Sequence, residues 1–533
     1  MYSECLPFTR VPHTSRLFID YLYHFDRVSG FYPHPPLSTE WLPTQAAAIK
    51  YDESRRHRVA DLLQRQNQKW GSGKRTFQHI ERLRHGAYAV VTGQQVALFG
   101  GPLFALLKAV TAARIALEAT SAGVEAVPIF WLATEDHDLA EVNHATLPGP
   151  DGLQTVATAS RGVPDSPVSS VVLDGDIGAA VNAAAELLGD SEAAEWIRAA
   201  YEPGGTLGDG FAQLFARLFD RFGIILLDPA DVELHELAKP VFKRAVEEAS
   251  EIGDDLLARG KALRGADYHE QVKVTFASTL LFAIEQGARI PIHRRNGEFE
   301  IAGRLVSRSE LITRVDSNPE QFSANVLLRP VMQDYLLPTL TYIGGPAEIA
   351  YFAQSAVVYE RLLGRVTPVR PRLSATIVEP ANKRLLDKYG LKVTDLFNGP
   401  EATRDLIAKR VLPEDLRMAF DYADANVKQS ITQVLESLAR LDPTLVDAAR
   451  RSTAKMTYQL SKLRTKAANA ELRRSEILSR HAEQLSTALY PGKGLQERSV
   501  AGVYFVARHG TDLLDSLYET AHPGCPDHQI VYL

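Results

Sequence analysis

Apolar positions gather into short unbroken runs separated by polar clusters, and the clearest alternation lies between Ala87 and His144. Residues 87–91 are apolar and partly β-branched and stop at Thr92-Gly93, which predicts a buried strand feeding a turn. Gly100-Gly101-Pro102 then puts proline at the first helical position, and Leu103, Leu106, Leu107, Val110 and Ala113 recur at helical spacing. Residues 127–132 read as a second buried strand that runs straight into Thr134-Glu135-Asp136-His137-Asp138. The result is a βαβ unit with polar residues at the carboxyl ends of both strands, where ligands of open parallel sheets sit. Two plainer readings compete: Gln94-Gln95 as turn residues, and the acidic cluster as a helix cap with a solvated face.

Further along, residues 151–200 are rich in Ala, Asp and Ser, with short strands expected at 155–159 and 169–173, and 151–205 reads as an insertion. The core resumes at Thr206, where Leu214, Leu218 and Phe222 form one helix face. Residues 223–227 make a strand ending at Asp228, placed like Asp136 just after a parallel strand, and a helix is expected over 233–262. Alternation at Val272-Val274-Phe276, Ile290-Pro291-Ile292 and Phe299-Ile301 predicts antiparallel strands in a second insertion, 270–325. A strand at 340–343 precedes Gly344-Gly345-Pro346, a second glycine pair plus proline opening a helix that carries Tyr351. Free N–H groups at such a helix start suit a carboxylate or phosphate, with simple capping the alternative. Arg370 and Arg372 either flank an anionic substrate or are exposed surface residues.

From Pro413 the pattern becomes a long helical hairpin. Val427, Ile431, Val434, Leu438 and Leu441 step by four and three, Asp442-Pro443 breaks the helix, and Met456, Leu460, Leu463, Ala467 and Ala470 repeat the steps. A second arm over 444–489 would be roughly 70 Å long at the helical rise. Such an arm should pair with the first and with a second subunit; a hairpin within one chain is the alternative. Tyr490, Lys493 and Arg498 then share a loop that could hold a nucleotide, or be an ordinary basic loop. The expected organisation is a helical lead-in 1–80, core segments 81–150, 206–269 and 326–395, insertions 151–205 and 270–325, a coiled-coil domain 396–490 and a return to the core over 491–533.

Composition narrows this only a little. At 533 residues more than one domain is expected, and a net charge of −6 argues against a general nucleic-acid binder. No apolar run is long enough for a membrane span, so a soluble, cytoplasmic protein is expected. The two cysteines, Cys5 and Cys525, lie near opposite ends and form no disulfide framework, which also points to a reducing compartment. Cys525 between His522 and His528 could belong to a metal trio, although a loop before a final strand accounts for the same residues. The Asp-His-Asp run also permits a metal, but no distant cluster supplies further ligands, and none is assigned.

VVTGQQ, the GGP helix start, PIFWLATEDHDLAEVNH, LLRPVMQDYLLPTLTYIGGPAEIAYFAQ, RPRLSAT and LYPGKGLQER together resemble the bacillithiol-synthesis cysteine ligase family, BshC, along essentially the whole chain. The resemblance implies an α/β fold: a Rossmann-like parallel-sheet core with two connecting-peptide-type insertions, akin to class I aminoacyl-tRNA synthetases, and a long α-helical coiled-coil hairpin that makes a homodimer. It implies small-molecule substrates, cysteine and glucosaminyl-malate, joined by an amide bond in the last step of bacillithiol synthesis. Under that reading His137, Asp136, Asp138 and Gln94 are the catalytic candidates, with His137 the natural titrating group near neutral pH. Thr92, Gly93, Gln95, Glu135, Gly344, Gly345, Tyr351 and Arg372 are the substrate-binding candidates. Glutamines stand where the synthetases carry histidines, and RLSAT lacks their lysine. No cofactor is therefore assigned, and ATP or another nucleotide stays a conjecture. The alternatives are a non-catalytic scaffold of a thiol-synthesis complex and a different amide-forming enzyme on the same fold.

Overall fold

A computed structural model describes residues 1–159, 162–474, 476–521 and 525–533. The chain divides into two compact units, one of Ser3–Ala375 with Glu497–Gln529 and one of Thr376–Gln496 with Ile530–Leu533. The units divide at Ala375, earlier than the 395/396 boundary read from the sequence.

The first unit is built on a parallel five-stranded sheet. Its strands are β1 (Tyr88–Gln94), β2 (Ala126–Leu132), β3 (Ile225–Leu227), β4 (Thr339–Gly344) and β5 (Val369–Pro371). Their spatial order is 5-4-1-2-3 and every pairing is parallel. Strand order therefore reverses between β1 and β4, which defines the topological switch point of a Rossmann-like sheet. All seven residues of β2 are buried, as expected of a strand covered on both faces. Thr92-Gly93 does not end β1: pairing continues through Gly93 with Trp131 and Gln94 with Leu132. Gly93 fits there because a Cβ would lie 2.9 Å from the Trp131 carbonyl oxygen.

Helix α1 (Leu103–Ser121) crosses from β1 to β2 and is buried on nearly every side, with Pro102 one position earlier than expected, at its N-cap. The expected single helix over 233–262 is two, α2 (Val232–Glu247) and α3 (Ala249–Gly265), broken at Glu248. The GGP after β4 opens α4 (Pro346–Leu363). The lead-in is largely helical, but its first residues form the strand Tyr2–Leu6.

Among the described residues, a hairpin of His144–Gly149 with Gly152–Ala157 leads from the core into the first insertion. The strand expected at 169–173 is instead a 3-10 turn, Val168–Ser170, whose N–H groups donate to the carbonyls of Asp136 (from Val168, 2.7 Å) and Thr134 (from Ser169, 2.9 Å). The second insertion is an antiparallel sheet ordered Arg304–Val306, Glu298–Ile301, Ala288–Arg295, Ser278–Glu285, Phe322–Ala324. Its hairpins turn on Gln286-Gly287, Asn296-Gly297 and Ala302-Gly303, each pair with positive φ, the signature of two-residue turns that match strand twist. Val272 and Val274 are outside this sheet: the Val272 backbone bonds to the Gln354 amide at 2.9 and 2.8 Å, so the side-chain alternation there is accidental.

The second unit is helical. Pro400–Val411 leads into α5 (Glu414–Leu441), α6 (Leu445–Arg474) and α7 (Glu476–Leu489). Helices α5 and α6 pack along each other as the two arms of the hairpin.

Candidate active-site crevice

Five parallel strands ending on one edge put Gln94, Thr134 to His137, Asp228 and Gly344-Gly345 along a single rim. At the switch point itself stands a residue the sequence reading passed over. Lys108, inside apolar α1, is 2 % exposed. Its ammonium donates to the Gly93 carbonyl at 2.7 Å and to Gln94 Oε1 at 2.9 Å, and pairs with Glu348 Oε2 at 2.5 Å. One cation thus ties the end of β1 to the first turn after β4. Burial pulls Lys108 down to about 8 against the pull of Glu348, and it stays charged at neutral pH. Burial alone would raise Glu348, but Lys108 and the Gly345 N–H outweigh it and hold the carboxyl below its usual value.

At each helix start in this region one backbone N–H is taken by the chain itself. The Gly345 N–H donates to Glu348 Oε2 at 2.8 Å, while the Leu103 N–H at the start of α1 donates to the Val500 carbonyl at 2.8 Å. The charge fixed beside the start of α4 is the Lys108 ammonium, buried and paired with Glu348. Glu348 continues into a buried network: Tyr342 donates to its Oε1 at 2.6 Å, and Arg329 donates to the Tyr351 hydroxyl at 2.9 Å. Tyr351 therefore sits behind Glu348 as a buried partner of Arg329.

Along β2 the acidic run divides its labour. Gln95 Nε2 donates to Asp136 Oδ2 and to Glu141 Oε2, both at 2.9 Å, so the neighbouring strands do bring the glutamine pair and the acidic run together. Asp136 Oδ1 also accepts the His137 N–H at 2.8 Å. Asp138 is exposed and caps a short helix by accepting the Glu141 N–H at 3.1 Å, which leaves it a local structural role. Glu135 turns the other way, 3.2 Å from His235 Nε2, while His235 Nδ1 meets the Pro319 carbonyl at 3.1 Å. Burial would lower His235, but acceptors at both ring nitrogens win and raise it.

His137 is reached from the second insertion. Arg289, on the strand Ala288–Arg295, donates to His137 Nδ1 at 3.2 Å and lies 3.7 Å from Asp136 Oδ1. Its other nitrogens donate to Ser323 Oγ and the Ala324 carbonyl, and its guanidinium covers the Phe282 ring at 4.0 Å. An Arg N–H can only donate, so Nδ1 is the acceptor and the ring proton of neutral His137 is on Nε2. Asp136 Oδ1 lies 3.5 Å from the same Nδ1, so Arg289 and Asp136 together set the orientation of the ring.

The acceptor on the rim is Asp228, one residue past β3. Burial raises its carboxyl from 3.8 to about 6, opposed by the Thr134 hydroxyl and the Ala230 N–H, both donating to Oδ1. Thr92 has a structural role, its hydroxyl donating to the Ile343 carbonyl at 2.9 Å to bind β1 to β4. Arg370 and Arg372 are both buried, not exposed. Arg372 forms a two-pronged pair with Glu497 at 2.6 and 3.1 Å, and Arg370 donates to the Pro36 carbonyl at 3.0 Å, so Arg372 is committed inside the protein.

Tyr490 is buried against Phe397, ring centroids 4.7 Å apart, while Lys493 is exposed in the same unit and Arg498 is exposed in the other. Of the metal trio, His522 lies outside the described residues, and His528 is buried with its Nδ1 2.7 Å from Ser374 Oγ. No described helix is long and apolar enough to cross a membrane.

A Rossmann-like sheet with the buried Lys108–Glu348 pair at its switch point, a five-stranded antiparallel insertion and a helical hairpin define the class. The model for "Bacillithiol biosynthesis BshC, N-terminal Rossmann-like domain" matches residues 1–373, and that for "Bacillithiol biosynthesis BshC, C-terminal coiled-coil domain" matches 375–533. Two relatives, each named "Putative cysteine ligase BshC", cover the whole chain over their own whole length: one of Koribacter versatilis is 49% identical and one of Solibacter usitatus is 38% identical. The chain belongs to the BshC family of bacillithiol biosynthesis. Among solved structures, a Mycobacterium tuberculosis methionyl-tRNA synthetase in complex with methionyl-adenylate aligns over 83% of this chain and 93% of its own, at 11% identity and a TM-score of 0.24, too low to bear on the site.

Proposed function

We propose that this chain is a ligase that joins the carboxyl of cysteine to the amino group of glucosaminyl-malate, the amide-forming last step of bacillithiol synthesis. The name of its full-length relatives, a putative cysteine ligase, supports cysteine as the group joined, and one observation supports the place: Lys108 joins Gly93 and Gln94 of β1 to Glu348 beyond β4 at the switch point. A carboxylate has no leaving group, so the cysteine carboxylate first attacks the α-phosphate of a nucleoside triphosphate, expelling pyrophosphate, and the nucleoside monophosphate then leaves as the amine attacks the acyl carbon. Gln94, its oxygen fixed by Lys108, turns its amide N–H groups toward the activated carboxyl oxygen. Asp228, raised to about 6, accepts the proton as the sugar amine attacks. His137 donates from Nε2 to a sugar or malate oxygen, oriented by Arg289. The protein acts in the cytoplasm, and the exposed apolar side chains Val434 and Leu441 of α5 dock on a second copy to make a homodimer.

Incubating the purified chain with cysteine, glucosaminyl-malate and each nucleotide in turn, with mass detection of the thiol, tests this. Product that depends on one nucleotide and is lost in Asp228→Asn is expected; no product with any nucleotide would sink the ligase reading. That second outcome is what the scaffold alternative requires. It has one observation in its favour, that one backbone N–H at each GGP helix start is taken by the chain's own groups.

A further inference from the structure

The two cysteines, at opposite ends of the sequence, meet in space. Cys5 Sγ lies 3.0 Å from Cys525 Sγ, although 520 positions separate them. Cys5 is exposed and Cys525 half-buried, so the pair is open to solvent from one side. Gln529 holds both: its Nε2 donates to Cys525 Sγ at 2.8 Å, and its Oε1 accepts from Cys5 Sγ at 3.7 Å. Both thiols and Gln529 belong to the first unit, Cys5 within the strand Tyr2–Leu6 and Cys525 just ahead of the strand His528–Tyr532.

A metal is the first alternative, since Asp527 completes a group of three ligand-bearing side chains with the two thiols. The geometry disfavours it. Two thiolates on tetrahedral zinc, at about 2.3 Å each, stand roughly 3.7 Å apart, wider than this pair. The Asp527 carboxylate also already accepts the Tyr23 hydroxyl at 2.6 Å. A sulfur pair closer than a shared metal allows, with one member exposed, is instead poised for a sulfur–sulfur bond.

We propose that Cys5 and Cys525 are a reversible dithiol/disulfide couple whose oxidant is a small-molecule disulfide. Cys5 gives its proton to solvent and its thiolate attacks one sulfur of the oxidant, so that a mixed disulfide forms on Cys5 and one small thiolate leaves and is protonated. Cys525 then loses its proton and attacks Cys5 Sγ, expelling the second small thiol. Two protein thiols and one small disulfide become one protein disulfide and two small thiols, with no electrons left over. Burial beside Cys5 pushes the Cys525 thiol up to about 11, which suits it to the second, intramolecular step rather than to first attack. Disulfides that form and break in reducing compartments are the redox-sensing kind, and this one would tether the N-terminal strand to the C-terminal segment. The proposal stands apart from the ligase reading and needs no substrate of it.

The test uses the full chain. Purified reduced protein is treated with oxidised glutathione, then denatured, alkylated and weighed by mass spectrometry. The expected result is loss of both alkylatable thiols, a mass lower by two hydrogens, and a peptide linking residue 5 to residue 525, all reversed by dithiothreitol. At contact distance the linked form should exceed the mixed disulfide by about tenfold or more. In Cys525→Ser the mixed disulfide on Cys5 should persist. Accumulation of the mixed disulfide in the unsubstituted chain, two thiols that stay alkylatable, or protection traced to bound zinc would each overturn the proposal.

Discussion

Asp228→Asn separates the stability of the crevice from its chemistry. The amide keeps the shape and still accepts from the Thr134 hydroxyl and the Ala230 N–H, both of which reach only Oδ1. It removes a charge that is costly to hold there. The carboxyl is raised from 3.8 to about 6, so between those values the folded state binds more protons than the unfolded state and stability falls as pH rises. The favourable contribution is complete below about 4 and gone above about 6. Each tenfold change in proton affinity is worth about 1.4 kcal/mol, so the half-buried carboxylate costs at most about 3 kcal/mol at pH 8. Asp228→Asn should thus stabilise the first unit by up to about 3 kcal/mol at pH 8, gain little near pH 4, and lose product formation. Urea unfolding followed by tryptophan fluorescence reads this unit alone, because Trp41, Trp70, Trp131 and Trp196 all lie in it. A variant equally or less stable than the parent at pH 8, or one that still makes product at the parental rate, would refute the reasoning.

Lys108→Met strands the Glu348 carboxylate and should cost about 3–5 kcal/mol in the same unfolding assay, with most of the loss recovered in Lys108→Met/Glu348→Gln. Arg289→Ala frees His137 Nδ1, so nitrogen NMR of the ring should show the proton no longer confined to Nε2, and product formation should fall by about a hundredfold. Glu497→Gln removes the buried partner of Arg372 and should lower the unfolding midpoint by an amount equivalent to about 3 kcal/mol or more, measured at neutral pH. Val434→Glu with Leu441→Glu should bring the sedimenting species of a dimer down to a single chain, leaving the tryptophan-monitored unfolding of the first unit unchanged.

What the sequence made legible follows from where each signal is stored. Strand β2 and its acidic run could be read because a strand buried on both faces is a solid apolar run, and its end is where polarity returns. The family motifs carried the fold class for the same local reason. Lys108 left one clue, a lone cation in the apolar first half of α1, but its partners come from β1 and from beyond β4, which spacing does not reveal. Arg289 comes from an insertion whose sheet is set by turn chemistry at Gln286-Gly287 and its two counterparts. Arg372 could be read only as an anion binder or an exposed surface residue because Glu497, its buried partner, lies 125 positions away. Asp228 was visible as an acid after a strand, whereas its raised pKa depends on burial that only the packed chain supplies.

The most direct test is a crystal structure of the chain with cysteine and glucosaminyl-malate bound. Density for the cysteine carboxyl within hydrogen-bond reach of the Gln94 amide, with the sugar amine facing Asp228, is the predicted result. Ligands seated away from the carboxyl ends of β1 and β4 would contradict it.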